Sequence, residues 1–351
     1  MGGRQRSEIV MNFSANHEKY TLKFRVPAGT SRGVLREKTV YFLRLHADGR
    51  TGTGECAPWR GLSLDATPDF EPQLAEVCRR ISAGEHPAGI RLPHQPALQF
   101  GLEMAWLDWQ HGGTGILFDT LFTRGEINLP THGLIWMDSP DGLRRQIEAK
   151  ITAGFTVIKM KIGAMDFADE IAVLADLRRA HPAEKITLRL DANGAFSPAD
   201  APEKLAALAP FGIQFLEQPI KPKQWDALAK LCAVSPIPIA LDEELIGHNT
   251  PAGRRRLLDA IRPQGIVLKP ALLGGFAACD DWIAAATERG IRWWANSALE
   301  SNVGLSAICQ WVSARDPDRV HGLGTGKLYE NNVAARVGVV DSHLSFVKRE
   351  T

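Results

Sequence analysis

Asp191, Glu217 and Asp242 each stand at the end of a short apolar run, and two neighbouring runs end in lysine. The segments are Phe155–Lys161 (FTVIKMK), Ile186–Asn193 (ITLRLDAN), Ile213–Gln218 (IQFLEQ), Ile237–Glu243 (IPIALDE) and Gly265–Lys269 (GIVLK). The carboxylates recur at roughly 25 residues, about one strand–helix unit of a β/α barrel. Three carboxylates gathered at one rim repel each other unless a cation lies among them. Hard oxygen donors without histidine or cysteine suit Mg²⁺, with Mn²⁺ as a substitute, better than Zn²⁺. Any one of them alone could be a solvated strand end or a helix cap; three in consecutive units point to a metal site. Glu243 follows Asp242 directly, and strand alternation sends the two to opposite sides, so only one should face the metal.

Lys159 and Lys161 lie two apart in one strand and share a face, the barrel interior if Ile158 and Met160 point outward. Two ammonium groups so close, beside a divalent cation, disfavour each other's charge. A lysine pushed towards neutrality can act as a general base. Lys269 ends a strand four units later, across the barrel from Lys161. Arg189 shares the face of Asp191 and reads either as a holder of a carboxylate or as an ion pair filling a barrel layer. Asn193 either donates to a bound carboxylate or caps its turn. Together these groups suit removal of a hydrogen α to a carboxylate. Such hydrogens are weakly acidic because the enediolate carries two negative charges on oxygen, and a cation on that carboxylate stabilises the charge.

The elements that must carry these residues fall into two sets. Tyr20–Val26, Thr39–Leu45 and Thr51–Cys56 have β character, with a hairpin signal at Asp48-Gly49, and Phe70–Ile81 and Leu98–Trp109 have helical spacing. Strands followed by helices predict an α+β domain over residues 1–124. From Ile127 short apolar strands alternate with helices, beginning at Ile127–Trp136 and ending with a strand near Val320–Leu323. Strands apolar on both faces indicate a covered parallel sheet. About eight units predict an α/β TIM-type barrel over residues 125–329. A doubly wound sheet is the rival, disfavoured because functional-looking residues end nearly every strand. The tail, residues 330–351, again reads as strand and is expected to complete the first domain.

A chain of 351 residues, 44% hydrophobic and 23% charged, is an ordinary globular composition. A net charge of +1 gives no reason to expect nucleic acid or an anionic membrane as partner. The five scattered cysteines form no CxxC and favour neither disulfides nor a thiolate metal site, so a reducing cytoplasm is expected. No apolar run is long enough to span a bilayer. Met1–Arg6 is short and basic without a signal-type core, and Met11 is a second candidate initiator. Oligomeric state is not legible.

These motifs resemble the enolase superfamily, in its muconate-lactonizing-enzyme-like branch. The resemblance rests on KxK at Lys159–Lys161, DAN at Asp191–Asn193, EQP at Glu217–Pro219, DE at Asp242–Glu243 and the Lys269 strand, in that order. It extends to SRG at Ser31–Gly33 and GTGECAP at Gly52–Pro58, which in that family belong to a capping domain over the substrate. The segments Leu268–Gly275 (LKPALLGG) and Asn296–Leu305 (NSALESNVGL) narrow it. They imply syn dehydration of 2-succinyl-6-hydroxy-2,4-cyclohexadiene-1-carboxylate, a step of menaquinone biosynthesis. The resemblance assigns Mg²⁺ to Asp191, Glu217 and Asp242. It gives Lys161 the proton transfers, Lys269 the stabilisation of the enediolate from the other face, and Lys159 and Asn193 the substrate carboxylate. For the succinyl arm, Ser297, Ser301 and Gly322–Gly326, Gly322 and Gly324 among them, lie at the rim after the last strands, where backbone N–H groups can reach a carboxylate, and the glycines suit ordinary turn geometry equally well. Gly52, Gly54 and Trp59 are expected in the capping loop, with Trp59 either a pocket wall or an exposed loop aromatic.

Three other reactions use the same scaffold. Dipeptide epimerisation calls for an acidic DxD pair after the last barrel strand, and Gly322–Asn331 (GLGTGKLYEN) has none. N-acylamino acid racemisation needs no such pair, and muconate cycloisomerisation is a weaker alternative. A non-catalytic binding protein is disfavoured because every metal and lysine position is filled.

Overall fold

The structure, a computed structural model, describes residues 12–30 and 33–347. Met1–Arg6, Met11 and, of the Ser31–Gly33 motif, Ser31 and Arg32 lie outside the described residues. Strands β1 (Ser14–Thr30), β2 (Gly33–Ala47) and β3 (Arg50–Cys56) form an antiparallel sheet in that order. Asp48 and Gly49 join β2 to β3 with φ of 50° and 70°, the backbone a two-residue hairpin needs. Helices α1 (Phe70–Ser82) and α2 (Pro96–Gln110) close over this sheet, where Leu43, Leu45, Leu74, Ile81 and Leu98 share one core.

Gly52 and Gly54 belong to β3 rather than to a loop over the pocket, and they are pressed against α2. A Cβ on Gly54 would lie 1.8 Å from the Gly101 carbonyl oxygen, and one on Gly52 2.1 Å from that of Ala105. The glycines let helix backbone rest directly on strand backbone. Gly54→Ala is therefore expected to destabilise the protein by about 3 kcal/mol, the upper end of overpacking costs, in a urea titration. An unchanged midpoint would mean that α2 can move away.

Strand β4 (Leu129–Pro130) precedes the parallel sheet. The sheet runs β5 (Gly133–Ile135), β6 (Val157–Lys161), β7 (Thr187–Asp191), β8 (Ile213–Glu217), β9 (Ile239–Leu241), β10 (Gly265–Leu268) and β11 (Arg292–Ala295), each paired with the next. Between them lie α3 (Pro140–Thr152), α4 (Phe167–Ala180), α5 (Ala201–Leu208), α6 (Trp225–Val234), α7 (Pro251–Ile261), and α8 (Pro270–Leu273) with α9 (Phe276–Thr287). Helix α10 (Asn302–Ser313) follows β11. Ser139, Thr250 and Ser301 begin α3, α7 and α10 by accepting a backbone N–H with the side-chain oxygen.

The expected strands at the two ends of the barrel are shorter than the sequence suggests. Ile127–Trp136 divides into β4 and β5, and Val320–Leu323 survives as single parallel bridges, His321 to Thr131 and Gly322 to Asn296. Those bridges lie on opposite edges of the seven-stranded sheet, so residues 321–322 fill the eighth position and close the barrel. Glycines at 322 and 324 offer little side chain to pack along a longer strand.

Ile158, Met160, Leu188, Leu190, Leu216 and Ile266 point outward into the helices. Phe215, Ala240, Val267 and Trp294 fill the interior. The tail forms the hairpin β12 (Val337–Val340) and β13 (His343–Phe346), which pairs with β4 rather than with the first sheet. Buried Leu344 and the edge contact of Phe346 with Phe122, ring centroids 5.5 Å apart, hold it there. The return to the first sheet comes earlier: Arg25 N–H donates to the Leu328 carbonyl at 2.8 Å and Glu330 N–H to that of Lys23 at 2.9 Å. Among the described residues no helix is long and apolar enough to cross a membrane.

Candidate active site

Register aligns the chemistry. Lys161 pairs in line with Asp191, and Asp191 with Glu217, at the C-terminal ends of β6, β7 and β8. Asp242 follows the last residue of β9. Oxygens of Asp191, Glu217 and Asp242 all lie within 4.8 Å of one another, and the three side chains are buried. Lys159 Nζ donates to Glu217 and lies 2.9 Å from Asp191 Oδ2. Lys269 Nζ donates to Asp242 Oδ2 at 2.5 Å. Lys161 Nζ is 3.5 Å from Asp191 Oδ2 and donates to Asn193 Oδ1 at 2.6 Å.

Asn193 caps its turn, and its side chain is engaged by protein groups. Its backbone turns at a φ of 44°, and its N–H caps Asp191 Oδ1 at 3.0 Å. Its side chain joins Lys161 to Glu243, donating through Nδ2 to Glu243 Oε1 at 2.9 Å. Glu243 therefore faces the pocket as well, against the alternation argument. The cause is local: β9 stops at Leu241, and Asp242 takes φ −120° and ψ −82°, which is not strand backbone.

Burial and charge pull the titrations apart. Burial opposes the charge of Lys159, but Asp191, Glu217 and Asp242 outweigh it and hold the ammonium strongly protonated. Lys161 goes the other way: burial, then the charges of Lys159 and Lys269, lower its pKa despite Asp191. Burial would raise the pKa of Asp191, yet the three lysines push it well below the usual carboxylate range. Glu217 is pushed up to about 7 by burial and by the charges of Asp191 and Asp242. Its Oε1 has no hydrogen-bond partner. Three buried, converging carboxylates with an unpaired oxygen fit a divalent cation, the one partner that would relieve repulsion and desolvation together.

Of the other expected residues, Trp59, Ser297 and Gly322 line the same pocket as the lysines. Lys38 lies over the Trp59 ring, 5.3 Å from its centroid, and donates to the Ala298 carbonyl at 2.5 Å. Arg189 does not reach the pocket. It sits one layer lower, bound to Gln214 Oε1 at 2.8 Å and to the Val320 carbonyl at 3.0 Å, with its guanidinium 5.1 Å from the centroid of Trp294. Burial lowers its pKa to about 10. It fills a barrel layer through neutral acceptors rather than through the ion pair that the sequence allowed. Ser301 is spent elsewhere: its N–H and Oγ, with the Gly304 N–H, all donate to buried Glu55 from β3. Gly324 packs on the backbone of His132 and on Thr131, outside the pocket lining.

The sequence reading missed His132, Leu134, Trp136, Asn296 and Leu299 and named residue 325 only within the Gly322–Gly326 rim; all of these line the pocket. The alternation of His132, Leu134 and Trp136 was the available signal, since residues two apart in a barrel strand face inward together. Burial, and then the charges of Arg189 and Lys159, lower the pKa of His132 well below the usual histidine value.

Residues 142–346 match the family described as enolase C-terminal domain-like. The chain is 45% identical to an o-succinylbenzoate synthase of Desulfotalea psychrophila, across 92% of this chain and 96% of that one. The crystal structure of MenC from Desulfotalea psychrophila superposes with a TM-score of 0.88 at 41% identity, covering 95% of this chain and 99% of that one. The L-Ala-D/L-Glu epimerase of Bacillus subtilis, at 22% identity and a TM-score of 0.83 over 95% of each chain, shares the fold.

Proposed function

The chain belongs to the enolase C-terminal domain-like family, and on that footing we propose that it is an enzyme catalysing the o-succinylbenzoate synthase reaction. That reaction removes water from 2-succinyl-6-hydroxy-2,4-cyclohexadiene-1-carboxylate and leaves 2-succinylbenzoate, a carbon–oxygen lyase step of menaquinone biosynthesis. One observation carries the reading: two lysines that line one pocket, Lys161 and Lys269, lie against Asp191 and Asp242 of a buried carboxylate triad, in a chain 45% identical to such a synthase.

Asp191, Glu217 and Asp242 are assigned to Mg²⁺, with Mn²⁺ as a substitute. When bound, the cation supplies a Lewis acid for negative charge gathering on the substrate carboxylate. Lys159, held protonated among the carboxylates, and Asn193 orient that carboxylate. Lys161 takes the hydrogen α to it. The electrons of that C–H bond become the new ring double bond as the C–OH bond breaks, and the Lys161 ammonium returns its proton to the departing hydroxide. Proton and hydroxide leave from one face, so a single lysine serves as base and then acid. Lys269, across the pocket, stays an ammonium and stabilises the anionic ring from the opposite face, partly over its π system. The Asn193 link between Lys161 and Glu243 keeps the base aimed at the ring.

The same two lysines support one second reading, N-acylamino acid racemisation, in which each serves one face. Dipeptide epimerisation lacks support because residues 322–331 carry no acidic pair for a substrate ammonium. The partner is a small carboxylate. Five free, buried cysteines support a cytoplasmic location. Conversion is tested by following the ultraviolet absorbance of the aromatic product with Mg²⁺ present; no product from the metal-loaded chain would remove the assignment.

A further inference from the structure

The backbone after Lys269 makes a corner with little slack. The Lys269 carbonyl accepts the N–H groups of Leu272 at 2.8 Å and Leu273 at 3.1 Å, and the Gly275 N–H donates to the Pro270 carbonyl at 2.9 Å. All four residues of α8 are buried. Gly274 and Gly275, the last two residues of the LKPALLGG segment, then turn the chain into α9, each with a φ of 95°, backbone that glycine adopts without strain.

Helix α9 begins without a cap of its own: Gly275 has no side chain to offer, and the first turn holds no acidic residue. The cap comes from Glu103 of α2, 173 positions away. Its Oε2 accepts the Phe276 N–H at 2.5 Å and its Oε1 the Ala277 N–H at 3.4 Å. A Cβ on Gly275 would lie 2.1 Å from Glu103 Oε2, so the glycine is what lets the carboxylate reach the helix. Phe276 is also gripped by α2, its ring meeting that of Phe100 edge-on with centroids 5.3 Å apart. Phe100 and Met104 sit in the barrel core with Ala271, Leu272 and Phe276, while Leu98, Leu102 and Ala105 of the same helix pack on the first sheet. Helix α2 thus joins the two cores at the corner that follows Lys269. The turn after Lys161 is held differently, from within the barrel, where the Gly163 N–H donates to Glu170 of α4 at 2.6 Å.

We propose that Glu103 is a positioning residue for Lys269: by holding the first N–H groups of α9, and through them α8, it fixes where the Lys269 ammonium stands. Glu103 lies outside the pocket lining and acts only through this corner. One of the two lysines therefore depends on the docking of α2, and Lys161 does not. The inference rests on the role given above to Lys269.

The test is a double-mutant cycle. Glu103→Leu removes both acceptors at similar size, and Glu103→Gln, the variant less disturbing to the fold, leaves one. Glu103→Leu is expected to lower kcat for dehydration by about ten-fold, as a catalytic group displaced by a fraction of an ångström would, and Glu103→Gln by less. In a Lys269→Ala background neither should lower it further, because no ammonium remains to be misplaced. An equal fold loss in both backgrounds would mean a purely structural role and would overturn the proposal. Backbone hydrogen exchange, followed by mass spectrometry, reads the linkage without substrate. Glu103→Gln should speed exchange at Leu272, Leu273 and Gly275 by about ten-fold and leave residues 157–165 unchanged. Faster exchange in both segments, or in neither, would overturn it. If the unaltered chain turns over no substrate, the proposed function falls, and the exchange result alone decides whether Glu103 holds the Lys269 corner.

Discussion

Lys161→Ala is expected to lower kcat for dehydration by about 10³-fold or more, because it removes the base and the acid of the same step. Lys161→Arg should be equally inactive: a guanidinium keeps the charge and cannot give up its proton at working pH. Lys269 provides the contrast. Its alanine variant should lose about 10²–10³-fold, as expected when an electrostatic stabiliser is deleted. Lys269→Arg should recover part of that loss, since the role requires a cation and no proton transfer. Steady-state kcat for the four variants separates the roles. Recovery by arginine at 161, or none at 269, would reverse the assignment. The geometry favours this order, since Lys269 Nζ sits 2.5 Å from Asp242 whereas Lys161 Nζ is 3.5 Å from Asp191 and makes its shorter contact, 2.6 Å, with the neutral amide of Asn193.

The second large effect concerns the carboxylate triad and can be read without turnover. Free Mg²⁺ at about a hundred times its dissociation constant should stabilise the fold by about 2.7 kcal/mol, by mass action alone. Thermal unfolding with Mg²⁺ and with a chelator measures it. Glu217→Gln should abolish most of that increment and the activity with it, since the substitution replaces a charged ligand whose Oε1 has no protein partner. Equal melting with and without Mg²⁺ in the unaltered chain would mean that the lysines alone balance the triad.

The site was legible where regular strand geometry reaches it. Lys159 and Lys161 share the inner face of β6, and Asp191 and Glu217 end β7 and β8 in register, as two-residue alternation predicts. The rule failed where the strand ended. Glu243 turns into the pocket because Asp242 has already left strand conformation. Arg189 shares the face of Asp191 as expected but lies a layer below, and a sequence does not say how deep the floor of a pocket is. Ser301 was lost for a different reason: its partner Glu55 is 246 positions away, in the other sheet. His132 lies in an apolar stretch with no chemical neighbour in sequence, and only barrel closure through the bridge between Thr131 and His321 brings it to the wall beside Gly322.

The fold shows the same division. The helices that begin on Ser139, Thr250 and Ser301 carry their own start signals. The eighth barrel strand reduces to bridges because its pairing depends on neighbours at both edges. The glycines of β3, expected over the substrate, serve the contact with α2, which no local pattern announces.

The most direct measurement sets dehydration of 2-succinyl-6-hydroxy-2,4-cyclohexadiene-1-carboxylate beside racemisation of N-succinylamino acids, both with the same Mg²⁺-loaded protein. Dehydration at about 1–10³ per second, with kcat/KM well above that for racemisation, is the predicted result. Racemisation without dehydration would contradict it, and would make Lys161 and Lys269 a pair of opposed bases.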